Sequence, residues 1–293
     1  MCITIYAFVG GKMKIAIASG KGGTGKTTLS TNLSTMIAQK FNKNITLVDL
    51  DVEEPNSKLF IDVELKKSSE VTVMVPSWDS DLCDHCNKCK NICEFNALVG
   101  LKKSVMIFPE LCHNCYLCSD LCPQNALPMI PKKIGIIKEF KKGNLKFIEG
   151  RLDIGIEQAV PMIKATKEYV NNDCLVIYDS PPGTSHPVIE SVNKTELVIL
   201  VTEPSPFGFN DLKLAIETMK VLKKNFAVVI NRANNEFKEI NEYCKNENID
   251  IIAEIPDKRE IAELYSKGEL IYNEISTQLI EIYNYIEGRK WER

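Results

Sequence analysis

Eight of the chain's eleven cysteines fall in two copies of one spacing. The first is Cys83-x2-Cys86-x2-Cys89-x3-Cys93, and the second is Cys112-x2-Cys115-x2-Cys118-x3-Cys122, followed by Pro123. Thiolates at two-residue intervals can occupy three corners of a metal–sulfur cube, the fourth ligand crossing over from the other run. That chemistry assigns Cys83, Cys86, Cys89 and Cys122 to one four-iron cluster, and Cys112, Cys115, Cys118 and Cys93 to a second. Zinc is the competing occupant because it also takes four thiolates, although its modules usually space their cysteine pairs further apart. Upstream lies Gly20-Lys21-Gly22-Gly23-Thr24-Gly25-Lys26-Thr27, followed by Thr28. A glycine-rich loop of this form turns backbone N–H groups onto a phosphate, with a lysine for the β- and γ-phosphates and a hydroxyl for Mg2+.

Other elements must position these groups. Apolar, β-branched runs at Lys14–Ala18, Ile45–Val48, Leu175–Tyr178, Leu197–Val201, Phe226–Ile230 and Ile249–Ile255 alternate with helical patterns such as Thr27–Phe41. Continuous apolar strands separated by helices predict an α/β fold, a mostly parallel sheet covered on both faces. Polar residues cluster just past the strand ends, where such sheets bind ligands: Asp49 and Asp51, Asp179, Glu203, Asn231 and Pro256-Asp257. The pattern breaks between about 70 and 148. Within this stretch Leu82–Leu98 and Leu111–Leu127 repeat at a 29-residue offset and share their Asn-Ala-Leu endings. A two-fold module is therefore expected as an insert, dividing the chain into 1–75, 76–132 and 133–293. Lys132–Phe140 and Leu145–Ile148, joined at Gly143-Asn144, read as the hairpin that leads back out.

The bulk figures fit a globular chain of 293 residues, 44% hydrophobic and 26% charged, with a net charge of −3. No basic block or aromatic–basic interleaving points to nucleic acid. No apolar run nears the ~20 residues of a membrane span. Cysteines at ligand spacing without an export signal predict a cytoplasmic location. Met13 can serve as the start, leaving 1–12 as an extension or an extra edge strand. Cys2, Cys174 and Cys244 have no partner at ligand spacing and read as ordinary thiols.

The second lysine of the glycine loop, Lys21, makes it resemble the deviant Walker A loop of the MinD/ParA/nitrogenase-iron-protein class. The resemblance spans about 14–60 and 147–270. It implies that Lys21 reaches the nucleotide of a dimer partner, which is a second copy or a paralogue. It also implies that Asp51, in Leu47-Val48-Asp49-Leu50-Asp51, positions the attacking water, although a turn acid remains the plainer reading. Asp49 is then a structural or Mg2+-shell acid. Tyr178-Asp179-Ser180-Pro181-Pro182-Gly183-Thr184 resembles the class's second switch, with Asp179 holding Mg2+ through water and Gly183 offering its N–H to the γ-phosphate. Asn231 resembles the adenine-reading asparagine, and Pro256-Asp257 the loop lying against the base. The cysteine module resembles a bacterial ferredoxin, with Glu94 where that pattern often has proline. The whole chain is similar to MinD/Mrp-superfamily ATPases with an inserted two-cluster ferredoxin domain.

Three functions follow as expectations. The first is ATP binding or hydrolysis coupled to electron transfer toward a redox partner. The second is assembly or delivery of clusters to an acceptor protein. The third is a positioning ATPase, weighed against the apolar stripe Leu279, Ile282, Tyr283 and Ile286, which reads as a packed terminal helix.

Overall fold

The computed structural model describes residues 13–170, 175–234 and 237–288, so the 1–12 segment, Cys2 and Cys174 lie outside the described residues. The chain begins with β1 (Lys14–Ala18), α1 (Lys26–Lys40), β2 (Ile45–Asp49) and β3 (Glu64–Pro76). The cysteine segment carries α2 (Lys88–Ile92), β4 (Leu98–Gly100), β5 (Val105–Ile107) and α3 (Leu117–Asp120). The hairpin β6 (Met129–Lys142) and β7 (Leu145–Leu152) leads to α4 (Ala159–Glu168), β8 (Leu175–Asp179) and α5 (His186–Val192). Then come β9 (Leu197–Thr202), α6 (Pro206–Val221), β10 (Phe226–Ala233), α7 (Glu239–Asn246), β11 (Ile251–Pro256), α8 (Arg259–Ser266) and α9 (Ser276–Gly288).

Among the described residues nine strands form one sheet in the order β11-β10-β9-β1-β8-β2-β7-β6-β3. From β11 to β7 every pairing is parallel; β6 and β3 extend the edge antiparallel. Alternate residues of the central strands point to opposite faces. Ile15, Ile17, Leu47 and Ile177 pack beneath α1 and α9, on the side that takes Leu33, Met36, Leu279 and Ile282. Ala16, Val48, Val176 and Tyr178 face α4, α5 and α6 through Met162, Val188 and Ile216. The stripe of α9 is thus spent on the core, with Leu279, Ile282 and Ile286 fully buried. Among the described residues no helix is long and apolar enough to cross a membrane.

Two differences from the sequence reading concern strand extent. Val71–Val75 is the end of the thirteen-residue β3, which pairs with β6 from Glu64↔Lys141 to Pro76↔Met129. Lys66, Lys67, Ser68 and Ser69 hide this strand from an apolar-run search because it lies at the sheet edge, half in water. β10 runs past Asn231 to Ala233, with a register shift against β11 and a positive φ of 53° at Arg232.

The cysteine segment leaves this sheet at Pro76 and rejoins it at Met129, residues that are paired in register, so its two ends are adjacent. Its repeat is visible in the backbone. His85 and Asn114, Asn87 and Tyr116, and Asn96 and Asn125 are three pairs at the 29-residue offset, and all six have positive φ. Asparagine is among the few side chains that tolerate this conformation, which accounts for the twin Asn-Ala-Leu endings. The alanines and leucines of those endings, Ala97 and Ala126, Leu98 and Leu127, are all buried.

Candidate functional site

The C-terminal ends of the parallel strands all open on one edge, and β1 at the centre delivers the glycine loop there. β1 connects through α1 to β2 on one side, whereas β8 connects through α5 to β9 on the other side of β1, the arrangement that leaves a ligand crevice. A cavity of about 330 Å3 lies at that edge, lined by the loop, Asp51, Asn56, Asn231, Arg232, Pro256, Asp257 and the first turns of α8. That volume suits a ligand of nucleotide size.

Gly23 and Gly25 have φ of +77° and +95°, so the loop needs residues without a Cβ. At Gly25 a Cβ would also stand 2.2 Å from Nδ2 of Asn231. That amide donates to the Thr24 carbonyl at 2.9 Å and so braces the loop from β10. Gly25→Ala is accordingly expected to weaken nucleotide binding at least tenfold, by about 1–2 kcal/mol of left-handed strain plus displacement of Asn231. Titration with a fluorescent nucleotide reads it; unchanged affinity would show that the loop tolerates a Cβ.

Lys26 is 7% exposed, and its ammonium donates to Ser19 Oγ at 2.9 Å. Burial lowers its pKa, while Asp179 and Asp51 pull the other way. Those acids sit in register: Asp49 of β2 pairs with Asp179 of β8. Burial, and then the Asp179 charge, holds Asp49 well above the usual carboxylate range. The same two causes push Asp51 up to about 6 against the pull of Lys26. Three carboxylates crowded in low dielectric with one lysine form a site short of positive charge. Oδ1 of Asp179 and Oγ1 of Thr24 are buried with no hydrogen-bond partner, while Asp179 Oδ2 accepts from Ser57 Oγ at 3.2 Å. A divalent cation beside Asp179 fits its orphaned oxygen and the shortage of positive charge.

Several of the expected site residues make other contacts in this conformation. Asp49 accepts the N–H of Asp51 on Oδ1 and the N–H groups of Asn56 and Ser57 on Oδ2, at 3.0–3.1 Å. Its carboxylate ties down the 51–57 loop, and the orphaned oxygen belongs to Asp179. Gly183, expected to offer its N–H to a γ-phosphate, donates it here to the Ser19 carbonyl at 3.0 Å. The switch is thus bonded to the strand that bears the glycine loop, and the expected contact requires that bond to break. Asn231 braces the loop with the amide expected to read adenine. Lys21 is ion-paired within its own chain to Glu203, which also holds Arg232 at 3.3 Å. Glu203 was noted only as the residue following a strand; its pairing with both cations follows from the adjacency of β1, β9 and β10, which no local pattern reveals.

In the second region Cys83, Cys86, Cys89 and Cys122 line one small cavity together with Trp78. Burial raises the Cys89 thiol, and Cys122, Cys83 and Cys86 are among the groups that add to it. Cys118 is pushed up to about 11 by burial, then by Cys112, Cys115 and Cys93. The thiols therefore gather four and four, each set taking one member from the other run. Amides of Ala97 and Ala126 donate to the crossing sulfurs of Cys93 and Cys122, both at 3.3 Å. The eight are free thiols, and among the described residues no group of three or more His, Cys, Asp or Glu is arranged to hold a metal ion as it stands. Among the described residues Cys244 is the one thiol outside the two runs, and it is buried in the core. His113 stacks on Phe95 with ring centroids 3.6 Å apart, and His85 Nδ1 lies 3.9 Å from Cys83 Sγ.

Residues 15–271 match the profile of the CobQ/CobB/MinD/ParA nucleotide binding domain. Among curated proteins, the uncharacterized protein MJ0579 of Methanocaldococcus jannaschii is 32% identical over 279 residues, covering 94% of this chain and 97% of its own. The cytosolic Fe-S cluster assembly factor NUBP1 homolog of Caenorhabditis elegans is 42% identical over 53 residues, 18% of this chain and 17% of that protein. Among solved structures, the septum site-determining protein MinD of Pyrococcus horikoshii, complexed with Mg-ADP, superposes with a TM-score of 0.56 at 16% identity. That match covers 94% of this chain and 95% of the other. With residues 15–271 matched, the chain belongs to the CobQ/CobB/MinD/ParA nucleotide-binding family, and the glycine loop at the edge of its parallel sheet is consistent with that membership.

Proposed function

We propose that this chain couples ATP binding and hydrolysis to electron transfer through two four-iron clusters held by its cysteine segment. The observation that carries the reading is the crossed gathering of the cysteines. Cys122, from the second run, lines the same cavity as Cys83, Cys86 and Cys89 of the first. A cubane draws its four ligands to separate corners and takes the last from the distant run. A bound cluster supplies a one-electron redox centre. The chain's own residues hold it, shield it with Leu98, Val105 and Leu127, and aim backbone amides at its ligands.

At the nucleotide end Lys26 would meet the β- and γ-phosphates, Thr27 and Asp179 would hold Mg2+, and Asp51 would orient the attacking water. Its position in the cavity lining supports that role. A bound Mg2+ supplies the charge that the Asp49–Asp179 pair lacks. Lys21 would serve a second copy or a paralogue once it leaves Glu203. Hydrolysis then changes the order of the 51–57 loop, as γ-phosphate switches do.

Cluster assembly or delivery is the second reading, favoured by the 53-residue similarity to a protein named as an Fe–S cluster assembly factor. Electron paramagnetic resonance of the reduced protein, with and without Mg-ATP and with an iron chelator present, separates the two. A signal that shifts while iron is retained is expected for gated transfer. ATP-dependent loss of iron to the chelator supports delivery, and an unchanged signal with no iron loss sinks both.

A further inference from the structure

We propose that the indole N–H of Trp78 donates a hydrogen bond to the cluster held by Cys83, Cys86, Cys89 and Cys122, making it the more easily reduced of the two. The inference rests on the cluster reading above and adds that the two centres are unequal. Trp78 is fixed by its neighbours: Ser77 N–H donates to the Pro128 carbonyl at 2.8 Å and Asp79 N–H to the Ala126 carbonyl at 3.0 Å. Its ring packs with Leu98, Val105 and Leu127 beside Cys83 and Cys89, and it lines the cavity that those thiols share with Cys86 and Cys122. The ring nitrogen Nε1 is nevertheless buried with no acceptor. Tryptophan buried in this way ordinarily finds a partner, and an orphaned donor on a residue that lines a ligand cavity is explained by the ligand.

The module's own repeat supplies the control. At the 29-residue offset the counterpart of Trp78 is Ile107, which has no donor. The backbone amides on the crossing sulfurs are matched at 3.3 Å in both halves, so they do not distinguish the sets. Reduction adds negative charge to a cluster, and a donor aimed at its sulfurs stabilises the reduced form and raises the potential. Trp78 therefore gives the first centre a higher potential and makes it the place where an electron rests.

The test is a redox titration followed by electron paramagnetic resonance, on wild type and Trp78→Phe, after iron analysis of each. Phenylalanine keeps the ring in the apolar cluster and removes only the donor. The expected result is two separate midpoints in wild type, with the higher one moving to more negative potential in the variant and the other unmoved. Both midpoints unchanged, with iron content retained, would overturn the inference. If the variant loses iron, the wild-type ring can be read directly. In Trp291→Phe protein grown on 15N-indole tryptophan, Trp78 is the sole labelled residue. A nitrogen hyperfine coupling in the first cluster's signal is expected, and its absence overturns the proposal. Wild type that holds no iron after anaerobic purification and reconstitution would overturn the cluster reading itself, and this inference with it.

Discussion

Lys21→Ala is expected to lower ATP hydrolysis by roughly 10²–10³-fold while leaving ADP affinity within about twofold, the pattern of a cation that acts on the transition state rather than on binding. In this conformation Lys21 is not among the residues lining the nucleotide cavity and is paired to Glu203. Its removal therefore takes nothing from the binding surface of one chain. Glu203→Gln tests the same idea from the opposite side. Weakening that acid releases both Lys21 and Arg232, so ATP-dependent dimerisation should become easier. The pair is partly exposed, with side chains 30% and 20% accessible, so breaking it costs little and the acid acts as a retainer rather than a lock. Phosphate release and light scattering with and without ATP read both variants. A Lys21→Ala protein that hydrolyses ATP at the wild-type rate would remove Lys21 from the mechanism.

The glycine loop and the gathering of the two cysteine runs were legible in the sequence because each is a local pattern whose spacing points to its chemistry. The loop needs left-handed glycines at Gly23 and Gly25, and thiolates two apart reach neighbouring corners of one cube. What escaped the sequence depends on strand order. Asp49 and Asp179 each end an apolar strand and look alike in sequence. Only the structure shows Asp49 saturated by Asp51, Asn56 and Ser57, with Asp179 Oδ1 left over. Gly183 stands out in the sequence by its place after the Asp-Ser-Pro-Pro run, and its φ is +96°, but the acceptor of its N–H is set by β1 and β8 lying side by side. Of edge strand β3 only the Val71–Val75 end is legible in the sequence, for a different reason: an edge need bury only part of its surface, so the alternation of its first half is blurred by Lys66, Lys67, Ser68 and Ser69.

Gln158→Ala is expected to abolish the effect of nucleotide on the second cysteine set while leaving ATP hydrolysis and iron content unchanged. Gln158 caps the start of α4 and belongs to the ATP-binding part of the chain. Its amide Nε2 reaches across to the segment, donating to the carbonyls of Cys112 at 2.8 Å and Pro109 at 3.2 Å, with Glu110 at 3.4 Å. The next residues of α4, Ala159 and Ile163, form one wall of a groove of about 230 Å3 whose other walls are Asp51–Glu54 and Pro181-Pro182. The 51–54 and 181–182 segments therefore share a groove with the helix whose N-cap residue, Gln158, holds the Cys112 loop. Arg151 adds a second tie, donating to the Pro55 carbonyl at 3.1 Å while it pairs with buried Glu149. A ligand that reorders the switches must repack this groove, because packed surfaces move as units. The displacement can reach Cys112 through one side chain. Hydrogen exchange over 109–118, with and without a non-hydrolysable ATP analogue, should differ in wild type and coincide in Gln158→Ala. Equal nucleotide dependence in both proteins would mean that the signal travels by another route or that the two sites are not coupled through α4.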